Sequence, residues 1–409
     1  MDRRQRVLML THRVPCPPDR GDRIRAYHQL RALSGWFDVT LAAIADEPVA
    51  DASLAELDSL TTNLLLVRAR PLRRRAAAAH AMITGRAITP AAMLDRSLVK
   101  RLITLHREQP FDTVLTYCTG MIGYTRALRD ALPDKPFRHV LDLVDVDSLK
   151  WLRYAQSTRG PMRLVYAAEA RRLRAVEAGQ FVPFDVLTVI SEHEAREYQT
   201  KINPRLCPHV VPNGVDLERF SPATSPDANE PVIIFTGVMS YKPNVDAVTW
   251  FARRVMPRVR AAVPEACFEI VGKSPSPAVQ VLGELPGVRV VGPVAQTADY
   301  LRRSAVAVAP MSIAPGLQNK VLEAMACGLA VVCSSAAASG VDAVAGRDLI
   351  VADTESDTAA QCVRLLMHPG CRAEVGGHAR RRVLERYRWD HALAPMQNLI
   401  QRAHTHAPA

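Results

Sequence analysis

Ala314-Pro-Gly-Leu-Gln-Asn-Lys-Val-Leu-Glu-Ala-Met-Ala-Cys-Gly328 brings together residue types that can hold an anion. Gly316 in the loop lets the backbone approach a ligand. Asn319 is a candidate N-cap, and good helix formers then run to Gly328, a candidate C′ glycine. Lys320 in the first turn opposes the helix dipole, which favours acidic side chains at that end. A cation there is explained if an anion sits on the free N–H groups, and phosphate is the usual one. Glu323, one turn on, could accept hydrogen bonds from ribose hydroxyls. An ordinary surface helix start is the alternative.

Two further groups could do chemistry. Arg138–Ser148 is a β-rich run passing into a loop with Asp142, Asp145 and Asp147. Acids gathered at a strand end suit a base or a hydroxyl-binding pair, whereas a metal would want more oxygen ligands. Helix capping by Asp147 or Ser148 is the competing reading. The other group is the run from Arg68 to Arg86, with six arginines and no acid between Asp58 and Asp95. It could hold a polyphosphate, an anionic membrane surface or nucleic acid, or be a solvated helix face.

The elements that must position these groups follow from the apolar pattern. Arg6–Leu10, a loop through Gly21, a helical stretch from Ile24 to Leu33 and a strand at Phe37–Ile44 make a β-loop-α-β opening. Strands follow at Leu64–Val67, Thr113–Cys118, Arg138 onward and Val186–Ile190. Helices are expected over the arginine-rich segment to Thr89, over Pro90–His106 and as one long stretch over Trp151–Ala178. Ser221–Pro231 is poor in apolar residues and rich in turn formers, as a linker is. The pattern then restarts with strands at Val232–Gly237, Cys267–Gly272, Val288–Gly292, Val306–Ala309 and Leu349–Val351. The absence of G-x-G-x-x-G after the first strand argues against a dinucleotide cofactor.

At 409 residues the chain exceeds one typical core, so two domains are expected. No apolar run approaches the roughly 20 residues of a membrane span, and the start reads as a strand rather than a signal peptide. The eight scattered cysteines contain no C-x-x-C pair, which fits reduced cytosolic thiols. The net charge of +11 lies mostly before Phe220, yet aromatic residues make up 5% and do not interleave with the basic run. A nucleic-acid partner is therefore not expected.

Three segments together carry a resemblance: Val211-Pro-Asn-Gly-Val-Asp-Leu-Glu-Arg-Phe220, Phe235-Thr-Gly-Val-Met-Ser-Tyr-Lys-Pro-Asn244 and Asn319-Lys-Val-Leu-Glu-Ala-Met-Ala-Cys-Gly-Leu-Ala-Val-Val332. They resemble the GT-B glycosyltransferases, in particular the retaining family 4 type. Pro17–Arg25 and Leu143–Ser148 look similar to one branch, the sugar transferases of bacterial exopolysaccharide loci associated with the PEP-CTERM/exosortase system. The resemblance implies an α/β fold of two Rossmann-like doubly wound domains facing a central cleft. Residues 1–215 would form the acceptor-side domain, 216–230 the linker and 231–390 the nucleotide-sugar donor domain, with a helix at about 391–409 packing back on the first.

The implied roles transfer residue by residue. Glu323 looks like the ribose-binding glutamate. Lys320 and the backbone of Gly316, Leu317, Gln318 and Asn319 look like the diphosphate cradle. Lys242, after Gly237, resembles the second cation, and Gly21 resembles the glycine that admits sugar and phosphate. Asp145 or Asp147 occupies the region of a polar residue near the reacting centre. Where the family often has a sugar-binding glutamate, this chain has Pro315. The implied enzyme is a metal-independent, hexosyltransferase-type glycosyltransferase without a cofactor, its co-substrate a nucleotide-diphosphate sugar. Its acceptor would be lipid-linked or a saccharide. The place would be the cytoplasm, with Arg73, Arg74 and Arg75 as contacts to acceptor or anionic membrane on the inner face of the plasma membrane. A sugar-nucleotide epimerase and a non-catalytic nucleotide or polyanion binder are the alternatives.

Overall fold

The computed structural model describes residues 3–223, 230–314 and 316–401. The chain divides into two compact units, Met1–Pro212 with Leu393–Ala409, and Asn213–Ala392. In the first unit the strands are β1 (Arg6–Thr11), β2 (Asp38–Ala45), β3 (Asn63–Arg68), β4 (Thr113–Tyr117), β5 (Arg138–Leu143), β6 (Val186–Val189) and β7 (His209–Val210). They pair in the order β3-β2-β1-β4-β5-β6-β7, all parallel, with Leu8 in register with Thr40 on one side and Val114 on the other. Val7 to Thr11 and all of β4 are buried, as short apolar runs covered on both faces must be.

The second unit repeats the scheme with β8 (Val232–Thr236), β9 (Cys267–Val271), β10 (Val288–Gly292), β11 (Val306–Ala309), β12 (Ala330–Cys333) and β13 (Ile350–Val351). Its parallel order is β10-β9-β8-β11-β12-β13. Each sheet reverses its winding once, between β1 and β4 in the first and between β8 and β11 in the second. Ligands of open α/β sheets bind outside the strand ends at such a reversal. That places the loops after β1 and β4, and those after β8 and β11, where chemistry is expected.

Two expected helices break. The Trp151–Ala178 stretch is two helices, Asp147–Ser157 and Met162–Glu177, which pack on each other. Gly160, at φ +81°, and Pro161 separate them, because neither continues a helix well. The Pro90–His106 stretch likewise splits into Ile88–Met93 and Arg96–Glu108, with the Asp95 carboxylate accepting from the Ser97 and Leu98 N–H groups. Among the described residues no helix is long and apolar enough to cross a membrane.

Candidate functional site

The loop after β11 turns at Gly316, whose φ of +66° is a left-handed value that a side chain resists. Leu317 is buried beneath the loop. The helix that follows spans Asn319–Ala326, so the cap position falls on Gln318, and no side chain caps it. Asn319 is therefore not the N-cap that its type suggests. It is the first helical residue, and its Oδ1 accepts from Nδ2 of Asn213 at 3.3 Å. The C′ position is Gly328 at φ +75°, as expected.

Lys320 stands in the first turn of this helix. Its Nζ donates to Oδ1 of Asn244 at 2.6 Å, lies 4.6 Å from the centroid of the Phe235 ring and 3.7 Å from the Met311 sulfur. Burial lowers its pKa from the usual lysine value to about 8, against the opposing pull of Glu323. Burial also raises the pKa of Glu323, one turn on, while the charges of Arg219 and Lys320 pull it down. A half-buried ammonium at a helix start, held by an amide, a ring face and a thioether, keeps its charge uncancelled and can meet an external anion.

Gly237 and Asn244 complete this arrangement. Gly237 follows β8 and donates to the carbonyl of Val271 at 3.0 Å. A Cβ there would sit 2.7 Å from Nδ2 of Asn244, so only glycine leaves room for that amide. Nδ2 in turn donates to the Val238 carbonyl at 2.9 Å, which fixes the amide with its oxygen toward Lys320. Sequence reasoning passed over Asn244; its signal was a buried polar residue in the first turn of the Lys242–Trp250 helix. Lys242 opens that helix, is 83% exposed and pairs with Asp246 at 2.9 Å. The structure does not join it to the Lys320 cluster. Pro315 lies outside the described residues.

In the first unit, Gly21 starts the Gly21–Trp36 helix at the end of the β1 loop. Asp22 beside it accepts from Arg13 at 2.8 Å and lies 3.3 Å from Nε2 of His12. The other ring nitrogen of His12 is 3.6 Å from the Cys118 sulfur, and the ring stacks on Tyr117. Burial opposes the charge of His12, but Cys118 and Asp22 outweigh it and raise the pKa to about 10. Cys118, directly after β4, has a φ of +65°, an uncommon value for a residue with a side chain. Neither His12 nor Cys118 was singled out from sequence, although they directly follow β1 and β4, the strands that flank the reversal.

The three acids of the β5 end separate into different roles. Asp142 is no site residue: it is fully buried, takes a bidentate contact from Arg25 at 3.0 and 3.1 Å, and accepts from Gln29 and Thr188 at 2.7 Å each. Asp147 begins the Asp147–Ser157 helix and binds Nζ of Lys150 at 2.5 Å. Asp145, on the preceding loop, is 39% exposed with Lys150 at 3.9 Å, and burial raises its pKa. Asp145 is thus the more open carboxylate, and Lys150 is a partner the sequence did not reveal. Arg73 and Arg75 are exposed and Arg74 half-buried on the Pro71–Ile83 helix.

Two Rossmann-like parallel α/β units in succession give the chain the GT-B fold. A sucrose-phosphate synthase from Thermosynechococcus elongatus superposes with a TM-score of 0.71 at 17% identity, covering 98% of this chain and 99% of that one. Anabaena HepE in complex with UDP-glucose gives 0.65 at 14% identity over 97% and 99%. Residues 230–368 match the family model described as Glycosyl transferases group 1. A curated relative, the GDP-mannose-dependent monoacylated alpha-(1-6)-phosphatidylinositol monomannoside mannosyltransferase of Corynebacterium glutamicum, is 26% identical over 241 residues. That match covers 53% of this chain and 62% of the relative's length.

Proposed function

We propose that the protein is a retaining glycosyltransferase that moves a sugar from a nucleotide-diphosphate sugar to a lipid-linked or oligosaccharide acceptor, in bacterial exopolysaccharide synthesis. The observation that carries this reading is the Lys320 ammonium at the Asn319 helix start, with Glu323 one turn further in. The group 1 match falls on the same unit; of the relatives named above, one is GDP-mannose-dependent and another is seen with UDP-glucose.

In the proposed reaction the bond between the anomeric carbon and the phosphate oxygen breaks as the acceptor hydroxyl attacks from the same face. The hydroxyl proton passes to the departing phosphate oxygen, so no separate base is needed. Charge that builds on the diphosphate is met by Lys320 and the helix N–H groups, in the manner of an oxyanion site. Lys242 serves as a second cation by exchanging Asp246 for phosphate, since an exposed pair of that kind is worth only about 0–1 kcal/mol. Gly21 admits the sugar, and Asp145 or Asp147 faces the reacting centre. Arg73, Arg74 and Arg75 bring the acceptor or an anionic membrane to the first unit.

Calorimetry against a panel of UDP-, GDP-, ADP- and dTDP-sugars tests the donor, and NMR of the product's anomeric centre tests retention. Failure of every nucleotide sugar to bind would remove the reading.

A further inference from the structure

A cavity of about 260 Å³ opens beside β3, the edge strand of the first sheet. Five of its lining residues are arginines: Arg68 at the end of β3, Arg70, Arg73 and Arg74 at the start of the Pro71–Ile83 helix, and Arg96, the first residue of the Arg96–Glu108 helix. Among the described residues none of these five forms an ion pair, and the buried Nη2 of Arg74 has no hydrogen-bond partner. The one carboxylate in the lining, Asp95, caps the Arg96–Glu108 helix and interacts through its charge with Arg70, so one carboxylate faces five guanidinium groups.

Three features here would be unfavourable in an empty pocket. Like charges are gathered around a small volume. Four of the five lie at the N-terminal ends of two helices, where the dipole disfavours cations. A buried guanidinium nitrogen is left without an acceptor, although such groups are nearly always paired. One anion with several acceptor oxygens relieves all three at once. Arginine forks match phosphate oxygens in pairs, and two helix N-termini add backbone donors.

We propose that this cavity is a binding site for the phosphate or diphosphate group of a phosphate ester carried on a lipid. The lipid source follows from the surroundings: Leu72 and Ile83, on the helix that supplies Arg73 and Arg74, are 80% and 83% exposed, and Leu94 in the lining is 41% exposed. The site deepens the membrane-side part of the proposed function and is independent of the donor site in the second unit.

The test compares the native chain, a Lys320→Ala variant, and an Arg70→Gln/Arg96→Gln double variant made in the Lys320→Ala background, by calorimetry with inorganic diphosphate. The expected result is binding retained in Lys320→Ala and weakened about tenfold or more in the double variant, as for loss of charge-assisted hydrogen bonds. Flotation with phosphatidylcholine vesicles containing phosphatidic acid, competed by free diphosphate, is the expected sign of a lipid source. Diphosphate binding without flotation keeps the phosphate pocket and overturns the lipid source. Equal affinity in Lys320→Ala and in the double variant made on it, or loss of binding already in Lys320→Ala, overturns the pocket itself. Arg70 and Arg96 are both exposed, so the double variant is expected to stay folded, which a circular-dichroism melt checks.

Discussion

The Lys320 ammonium and the Asn244 amide oxygen stand 2.6 Å apart, joining the two helices that begin at the reversal of the second sheet. The neutral amide holds the charge in place without cancelling it. Asn244→Asp would put a carboxylate in that position, raise the pKa of Lys320 and neutralise its field. UDP and GDP are then expected to bind at least about tenfold more weakly, the loss of one charge-assisted contact, measured by calorimetry on a chain with unchanged secondary structure.

Lys320→Ala and Glu323→Ala are each expected to abolish sugar transfer while the chain stays folded. Both residues are half-buried and lie outside the fully buried apolar core, so the melting temperature should move little. Near-normal turnover in both variants would refute the donor assignment.

The titration of Lys320 gives a pH dependence with a definite sign. With a pKa of about 8, the ammonium is charged below that pH and is progressively lost above it. Nucleoside diphosphate affinity should therefore fall as pH rises through about 8. In Lys320→Arg, whose guanidinium stays protonated, that fall should disappear even if the plateau affinity is lower.

Glu177 offers a test of stability. It is fully buried and accepts from the Ser148 N–H at 3.1 Å and the Thr119 hydroxyl at 3.2 Å. Burial, with the charge of Asp147, raises its pKa to about 8. Between the unfolded value near 4.5 and about 8, the folded state holds more protons than the unfolded one. The protonated carboxyl's contribution is thus complete below about 4.5 and is lost as pH rises through 8. Glu177→Gln, neutral at every pH, should match the native chain in urea unfolding at pH 5 and exceed it at pH 8.5. A gap that is the same at both pH values would show that the group does not titrate in this way.

Much of this architecture was legible because a parallel sheet buried on both faces writes itself as short apolar runs, and β1, β4, β8 and β11 all read that way. Lys320, Glu323 and Gly316 stood out because they lie within one strand-loop-helix unit, where spacing alone brings them together. What escaped depends on contacts between distant segments. Asp142 reads as a site acid until Arg25, 117 residues away, is found against it. Asn244 becomes informative only when Lys320, 76 residues on, reaches it. His12 and Cys118 meet because β1 and β4 are neighbours, which no local pattern states. The break at Gly160-Pro161 is written in the sequence, in two adjacent residues that continue a helix poorly.

The half-buried setting of Lys320 also makes ligand capture a matter of proton traffic. Near pH 8 about half of the molecules carry a neutral amine there, and a bound anion favours the protonated form. Each binding event would then draw on the order of half a proton from the solvent. The heat of nucleotide binding should consequently differ between Tris and HEPES buffers at pH 8, in proportion to their ionisation enthalpies, and become independent of the choice of buffer near pH 6.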